Sequence, residues 1–474
     1  MSRKLATVGV AFALVLGLAG GAAAGLDWGR TRDALLRSQS PSYFGVGQPL
    51  ARSSSEQITQ GQAQADPTAL VSLASGLHAR VVTTKGGVQP DQISLWPNAT
   101  HPTWLIECNE GGTSDPGLER INIRTGAEAT IVTGTESCDP TRITPWGTIL
   151  FAEEDGSGPS GGRAYELIDP LHTTGVTLDR TRGTFSGGTG AQNLTTLTAL
   201  GRASFEGFGI LPTGVTYIDP DDPDFGPQNG RAGNPYFKFI PSTLWTPGDP
   251  PITNPSQSPY VSGTYYGFQA ESGSSFGQGR EFGDGQWLRL PGGNDPDIEQ
   301  QGRDAGVTGY YRPEDMDIDG TALAQGRVRV CGADTGDEEA HLFGQVICIT
   351  DGSISQAGNN TATPQAEPFV FGGTSQGINM PDNVAFQPGR GNWVLHEDAE
   401  TTFEFPHNND LWDCLPDGGD QDLLSDGCVR VGTLNDLTAE WTGGIFDASG
   451  RHFYVSVQHN ISGAATVLDI TGWQ

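Results

Sequence analysis

DPTRITPWGTILFAEED, residues 139–155, is an acid, a short β-rich run, a tight turn and a second apolar run that closes on acids. Two such runs bounded by turn residues read as a β-hairpin. The same unit recurs at 91–110 (DQISLWPNATHPTWLIECNE), 206–219 (EGFGILPTGVTYID) and 314–334 (EDMDIDGTALAQGRVRVCGAD). It returns at 382–398 (DNVAFQPGRGNWVLHED) and 440–459 (EWTGGIFDASGRHFYVSVQH). Repeated β units imply a solenoid, propeller or array, and four-stranded blades of about 40–50 residues are the propeller norm. The six copies predict an all-β fold, a six-bladed β-propeller with long inter-blade insertions. Residues 91–474 are the expected propeller domain. The stretch at about 242–308 is rich in Gly, Pro, Ser and Asp and is read as an insertion rather than a seventh blade.

The chain begins MSRKLATVGVAFALVLGLAGGAAAG, a basic start, an apolar run and small residues. That layout is a cleavable export signal, expected over residues 1–24 with cleavage near Ala24. The run is too short for a convincing membrane span, so the mature protein is expected to be secreted or periplasmic. Residues 25–90 read as an N-terminal extension or strap: SQSPSYFGVGQPLARSSSEQITQGQAQADP (38–67) is polar and low in apolar content, and PTALVSLASGLHARVVTT (67–84) is read as holding a short helix or a first strand. Glycine is 68 of 474 residues and lysine occurs only at Lys4, Lys85 and Lys238. The net charge of −30 argues against nucleic acid as a partner and against an anionic membrane surface. A monomer is expected. Six cysteines allow 15 pairings. In an oxidising compartment the expected set is Cys108–Cys138, Cys331–Cys348 and Cys414–Cys428, each closing a loop within one small β unit.

In a propeller the first strand of each blade lines the central channel. The acids opening the repeats, Asp91, Asp139, Glu206, Glu314, Asp382 and Glu440, are therefore expected at one channel mouth. The acids closing the second strands (Glu110, Glu153, Glu154, Asp219, Asp334, Glu397 and Asp398) are expected on the same face, further out. So many carboxylates cannot all stay ionised without cations. Hard oxygens without a histidine pair suit Ca²⁺ or Mg²⁺, and calcium fits an exported protein best. In GYYRPEDMDID, 309–319, Glu314 is the channel acid and Arg312 stands ready for an anionic substrate group. Arg312 has a second reading, as counter-charge to Asp315 or Asp317. His459 reads either as a site residue or as a buried, hydrogen-bonded histidine; His396 and His407 read as ordinary loop histidines. No GxSxG elbow is present, and glycine runs such as GGTGAQN lack the strand–helix context of a phosphate loop.

TPWGTILFAEED (144–155), LGRASFEG (200–207), GYYRPEDMDID (309–319), MPDNVAFQPGRGNW (380–393) and AEWTGGIFDASGRHFYVSVQH (439–459) together resemble the PhoX-type alkaline phosphatase family. The resemblance implies a propeller whose channel mouth holds a calcium and iron cluster that hydrolyses phosphate esters. Carried over by position, it implies cation binding by Glu154, Glu206, Glu314, Asp382 and Glu440. Arg312 would contact the phosphate, and with Glu314 it makes the expected catalytic pair. Three positions depart from the family pattern. Ala152 stands where the family has a cysteine iron ligand, Phe205-Glu206 replaces a His-Glu pair, and Ser2-Arg3-Lys4 replaces a twin-arginine signal. With Ala152 there, calcium is the expected cofactor and iron is doubted. The expected activity is a calcium-dependent phosphoester hydrolase acting on a small phosphorylated substrate. The alternatives are a calcium-dependent esterase or lactonase, or a non-catalytic binding propeller stabilised by calcium.

Overall fold

Each repeated acid lies in a strand that opens an antiparallel meander. The computed structural model describes residues 28–87, 89–156, 161–222, 233–271, 282–337, 341–374, 377–399, 407–418 and 422–474. The expected export signal lies outside them. The first sheet runs from Pro90–Trp96 through Trp104–Asn109, Pro116–Asn122 and Glu128–Thr133, and is extended by Val176–Asp179 and Thr184–Ser186. The second runs from Cys138–Ile143 through Ile149–Glu153 and Ala164–Leu167 to Leu194–Thr196. Another starts at Pro381–Phe386 and ends with Val71–Leu73 on its outer edge. The last starts at Glu440–Phe446 and is completed by His78–Thr83, which pairs with Thr466–Thr471. That pairing ties an early strand to the end of the chain.

The opening strands pack side by side in a closed ring. Pro90–Trp96 lies against Cys138–Ile143, which lies against Phe205–Ile210; then come Pro313–Ile318, Pro381–Phe386, Glu440–Phe446 and Pro90–Trp96 again. The architecture is all-β and propeller-like. The expectation of six separate four-stranded sheets needs correction. There are five sheets among the described residues, and one has nine strands. It runs from Phe205–Ile210 to Pro313–Ile318, and these two end strands pack against each other, so the sheet curls back on itself. The cause lies in 242–308, read as strand-poor. This stretch supplies Gly263–Ala270 and Gly283–Arg289, and the second pairs across to Gln365–Phe371 through Gly283 and Asp284. An unpaired sheet edge is a template for another strand, and here a neighbouring edge takes it.

Sheets stacked around a ring are covered on both faces, so their middle strands lose the alternation of a half-exposed strand. Ile149–Glu153 is buried at every position. Between sheets lie large side chains with almost no exposure, among them Trp146, Trp393 and Trp441. Truncating one to Ala costs roughly 3–5 kcal/mol. The segment before residue 71 runs over this surface: Leu50 N donates to Arg430 O and Ile58 N to Asn435 O, and Leu36 of the helix Trp28–Ser38 is buried. No described helix is long and apolar enough to cross a membrane.

All six cysteines are paired as expected, 108–138, 331–348 and 414–428. The last two join directly opposed residues of adjacent strands. Cys108–Cys138 is different: it links the first sheet to the opening strand of the second, rather than closing a loop within one unit. Non-reducing peptide mapping of exported protein should find these three cross-links and no free thiol. Replacing both cysteines of the 414–428 bridge with serine should cost ~3 kcal/mol, the chain-entropy value for a loop of that size. A free thiol in properly exported protein would contradict the pairing.

Candidate metal centre

The opening strands do not run as regular ladders. Strand pairing slips between Pro90 and Ile93, Cys138 and Thr141, Phe205 and Gly207, Pro313 and Met316, and Pro381 and Val384. Each slip spans the repeated acid. In the sixth strand it falls just after the acid, between Thr442 and Ile445. A bulge leaves a residue unpaired and re-aims its side chain. Here it turns Asp91, Asp139, Glu206, Glu314 and Asp382 towards the channel mouth. Gly443 is required at the sixth slip: its φ is +62°, and a Cβ there would collide with Asp91 O.

All six opening acids line one cavity of about 170 Å³. Glu110, Glu154 and Asp398 complete its carboxylate wall; Arg312, Thr442, Gln458 and His459 also reach it. Each expected site residue (Arg312, Glu314, Glu154, Glu206, Asp382 and Glu440) is therefore in this one place. Two trios stand out. Asp91, Glu110 and Asp139 can each offer an oxygen with all three within 4.8 Å of one another, and so can Asp139, Glu154 and Glu206. Asp139 belongs to both. At 4.8 Å two ionised carboxylates repel by about 3.5 kcal/mol at an effective dielectric of 20, more than a typical hydrogen bond contributes.

Burial is the first cause that pushes the six opening acids and Glu154 upward in pKa, and neighbouring carboxylates add to it. Asp91 is raised by burial, then by Asp139 and Glu110. Glu206 is raised by burial, then by Asp139 and Glu314. Burial and Asp221 raise Glu314, with Arg312 opposing. Burial and Asp398 raise both Asp382 and Glu440. Among the described residues, buried oxygens Asp91 Oδ1 and Asp139 Oδ1 have no hydrogen-bond partner. Orphaned hard oxygens that are costly to ionise alone fit a hard divalent cation. No thiolate competes, since every cysteine is in a disulfide. Ala152 packs in an apolar cluster with Leu150 and Phe205.

Arg312 holds a left-handed backbone (φ +50°), uncommon for a residue with a side chain. Its Nε donates to Asp221 Oδ2 at 2.9 Å and its Nη2 lies 2.9 Å from Glu314 Oε1. Burial alone would lower its pKa, but Glu314 and Asp221 outweigh that and raise it. The side chain keeps 33% of its exposure at the cavity. Its second reading fails, because Asp315 is paired by Arg142 instead.

The closing acids divide according to register. Asn109, Glu153, Glu397 and Gln458 pair with the first residues of the opening strands, and the next residue along, Glu110, Glu154, Asp398 or His459, enters the cavity. Asp221 follows Pro220, the partner of Phe205, and accepts from Arg312 Nε at the edge of the cavity without lining it. Sequence reading missed it by choosing Asp219. Glu153, Asp219, Asp334 and Glu397 do not reach the cavity. Glu153 accepts from Tyr165 and Arg180; Asp334 accepts from Tyr236 and Gln345. Glu397 accepts from Trp412 Nε1 and from the backbone N–H groups of Asn379 and Asp410. Glu397, His407 and Asp410 cluster, but these bonds and Arg430 on Asp410 make the cluster part of the packing. His459 is half exposed, with Nε2 3.1 Å from Glu440 Oε1, not a buried histidine. His396 is not in a loop: it is fully buried in Trp393–Glu397, and burial pushes its pKa down to about 3. His407 is buried 3.7 Å from Glu397.

A family model described as alkaline phosphatase PhoX matches residues 110–460. No curated protein matches the sequence. The fold is similar to that of Pseudomonas fluorescens PhoX solved in complex with vanadate, a transition state analogue, at 15% identity and TM-score 0.59, over 89% of this chain and 98% of that one. It is also matched to a putative glucose dehydrogenase from Thermus thermophilus, at 10% identity and TM-score 0.43, over 83% of this chain and 100% of that one. A soluble aldose sugar dehydrogenase from Escherichia coli matches at 10% identity and TM-score 0.41, over 84% and 99%. The match at 110–460 spans well over half of the 474 residues and takes in all but Asp91 of the acids that meet at the channel mouth, so the chain belongs to the PhoX alkaline phosphatase family.

Proposed function

We propose that this protein is an exported phosphoester hydrolase that works with calcium held at the channel mouth. The observation that carries the reading is the pair of carboxylate trios sharing Asp139, with Arg312 on the same cavity wall; family membership supports the reaction class. The proposed ligands are Glu154, Glu206, Glu314, Asp382 and Glu440, together with Asp91, Glu110 and Asp139. When bound, the cations supply positive charge that polarises the phosphoryl group. The chain's own part is to bind and orient. The Arg312 guanidinium, fixed by Asp221 and Glu314, offers its outer N–H groups to phosphate oxygens, a geometry that a planar fork suits. Charge developing on the transferring group is then met by a donor that need not reorganise. The small polar cavity suits a phosphate rather than a large apolar acyl group. We also read the nine-stranded sheet as two blades sharing an outer edge, which gives six blades around the ring of six opening strands.

Three outcomes follow. Chelation should lower the melting temperature, and 100 Kd of calcium should restore about 2.7 kcal/mol. The raised carboxyl pKa values fix the pH dependence. An ionised acid whose folded pKa lies above its unfolded one destabilises the fold, and the penalty is relieved as pH falls through the folded value. Metal-free protein should therefore be more stable at pH 5 than at pH 8, and the calcium effect should be largest at pH 8. Melting curves unchanged by chelator at pH 8 would remove the metal site.

Arg312→Ala should lower kcat/KM for a phosphomonoester by about 10²–10³, the size of losing one preorganised charge-stabilising donor, and should abolish vanadate inhibition. If it spares hydrolysis of a carboxylic ester while phosphatase activity disappears, the esterase alternative gains. No turnover of either substrate, with calcium-dependent melting intact, favours the binding propeller.

With no thiolate available, purified protein exported by its native route should be colourless and rich in calcium. An intense visible charge-transfer band with stoichiometric iron would overturn the calcium assignment.

A further inference from the structure

One layer below the acids, a single guanidinium crosses between strands. Arg142 lies in Cys138–Ile143, three residues after Asp139. Its Nη1 donates to Gln92 Oε1 and to Thr141 O; its Nη2 donates to Asp315 Oδ1 and, at 3.2 Å, to Met316 O. Gln92 Nε2 passes the link on to Glu206 O at 2.6 Å. Gln92 follows Asp91 and Asp315 follows Glu314, so Arg142 ties together the strands that carry Asp91, Asp139 and Glu314, and through Gln92 the strand of Glu206. It is 16% exposed and Asp315 is 2% exposed. These strands carry the opening acids of both trios, and mutual repulsion pushes them apart.

We infer that Arg142 is a positioning residue that keeps the two carboxylate trios at cation-binding separation by pinning four opening strands beneath them. The inference rests on the metal reading above and adds a determinant of affinity that touches neither cation nor substrate. A planar fork donating in two directions is needed. A lysine ammonium is a point charge that can neutralise Asp315 but cannot hold Gln92 and Asp315 at a set angle. Ligands that must be gathered before they bind lose affinity by the fraction of time spent apart.

The test is calcium titration by chelator competition on the mature chain, comparing wild type with Arg142→Met, Arg142→Lys and Gln92→Leu. Arg163→Met serves as control, because it breaks a partly buried pair with Asp295 outside the cavity. Arg142→Met should raise the calcium Kd at least tenfold and Gln92→Leu at least threefold. The control should lower the melting temperature and leave Kd unchanged. A Kd for Arg142→Met within twofold of wild type overturns the inference, as does full restoration by Arg142→Lys, which would reduce the role to charge alone. Should Arg142→Met fail to fold, Gln92→Leu decides, and an unchanged Kd there overturns it. Wild type that binds no calcium overturns the metal reading itself, a result distinct from tight binding by every variant.

Discussion

Nine carboxylates converge on one small cavity, and their mutual repulsion is the constraint around which the fold is arranged. Each close pair costs several kcal/mol when ionised, against a total stability of roughly 5–15 kcal/mol for an ordinary domain. Such a cluster persists only if the strands that carry it are held together elsewhere. Hydrogen bonds below the mouth close a girdle around the channel. Arg142 and Gln92 join the first four opening strands. Asp317 Oδ2 accepts from Phe386 N, Asn383 Oδ1 accepts from Gly443 N, and Thr442 donates to Pro90 O. The last three carry the ring from the fourth strand to the fifth, the sixth and back to the first.

The bulges explain how one strand serves both purposes. In a regular strand, neighbouring side chains point to opposite faces, so an acid and the residue after it could not both face the channel. A slipped register relaxes that rule over two or three residues. Asp91 then lines the mouth while Gln92 reaches the girdle, and the same holds for Glu314 with Asp315 and Asp382 with Asn383. The large aromatics buried between the sheets and the three disulfides supply stability that the channel itself lacks.

Much of this was legible in the residues. The repeated acid–strand–turn–strand unit placed six acids at equivalent positions, and equivalent positions in a ring must converge. The disulfide partners followed from sequence neighbours. Other features were not legible. Glu153 and Glu154 are adjacent acids that the repeat alone does not separate; the family resemblance singles out Glu154, and the pairing of Cys138 with Glu153 gives the physical reason. Asp221 was not singled out at all, and it rather than Asp219 accepts from Arg312. His396 looked like a loop residue because its burial comes from Phe453 and Gly444 on another sheet.

The sequence by itself determined the all-β class, the convergence of acids and the presence of Arg312 beside Glu314, because these rest on local pattern and on repetition, which the chain carries in full. The tertiary structure alone decided that Asp221 rather than Asp219 holds Arg312, how the third and fourth meanders merge into one sheet, and that Arg142 rather than Arg312 holds Asp315. Those depend on register and on contacts between residues far apart in the chain. A one-residue slip reverses the face of every side chain beyond it, and no local pattern records where the slip occurs.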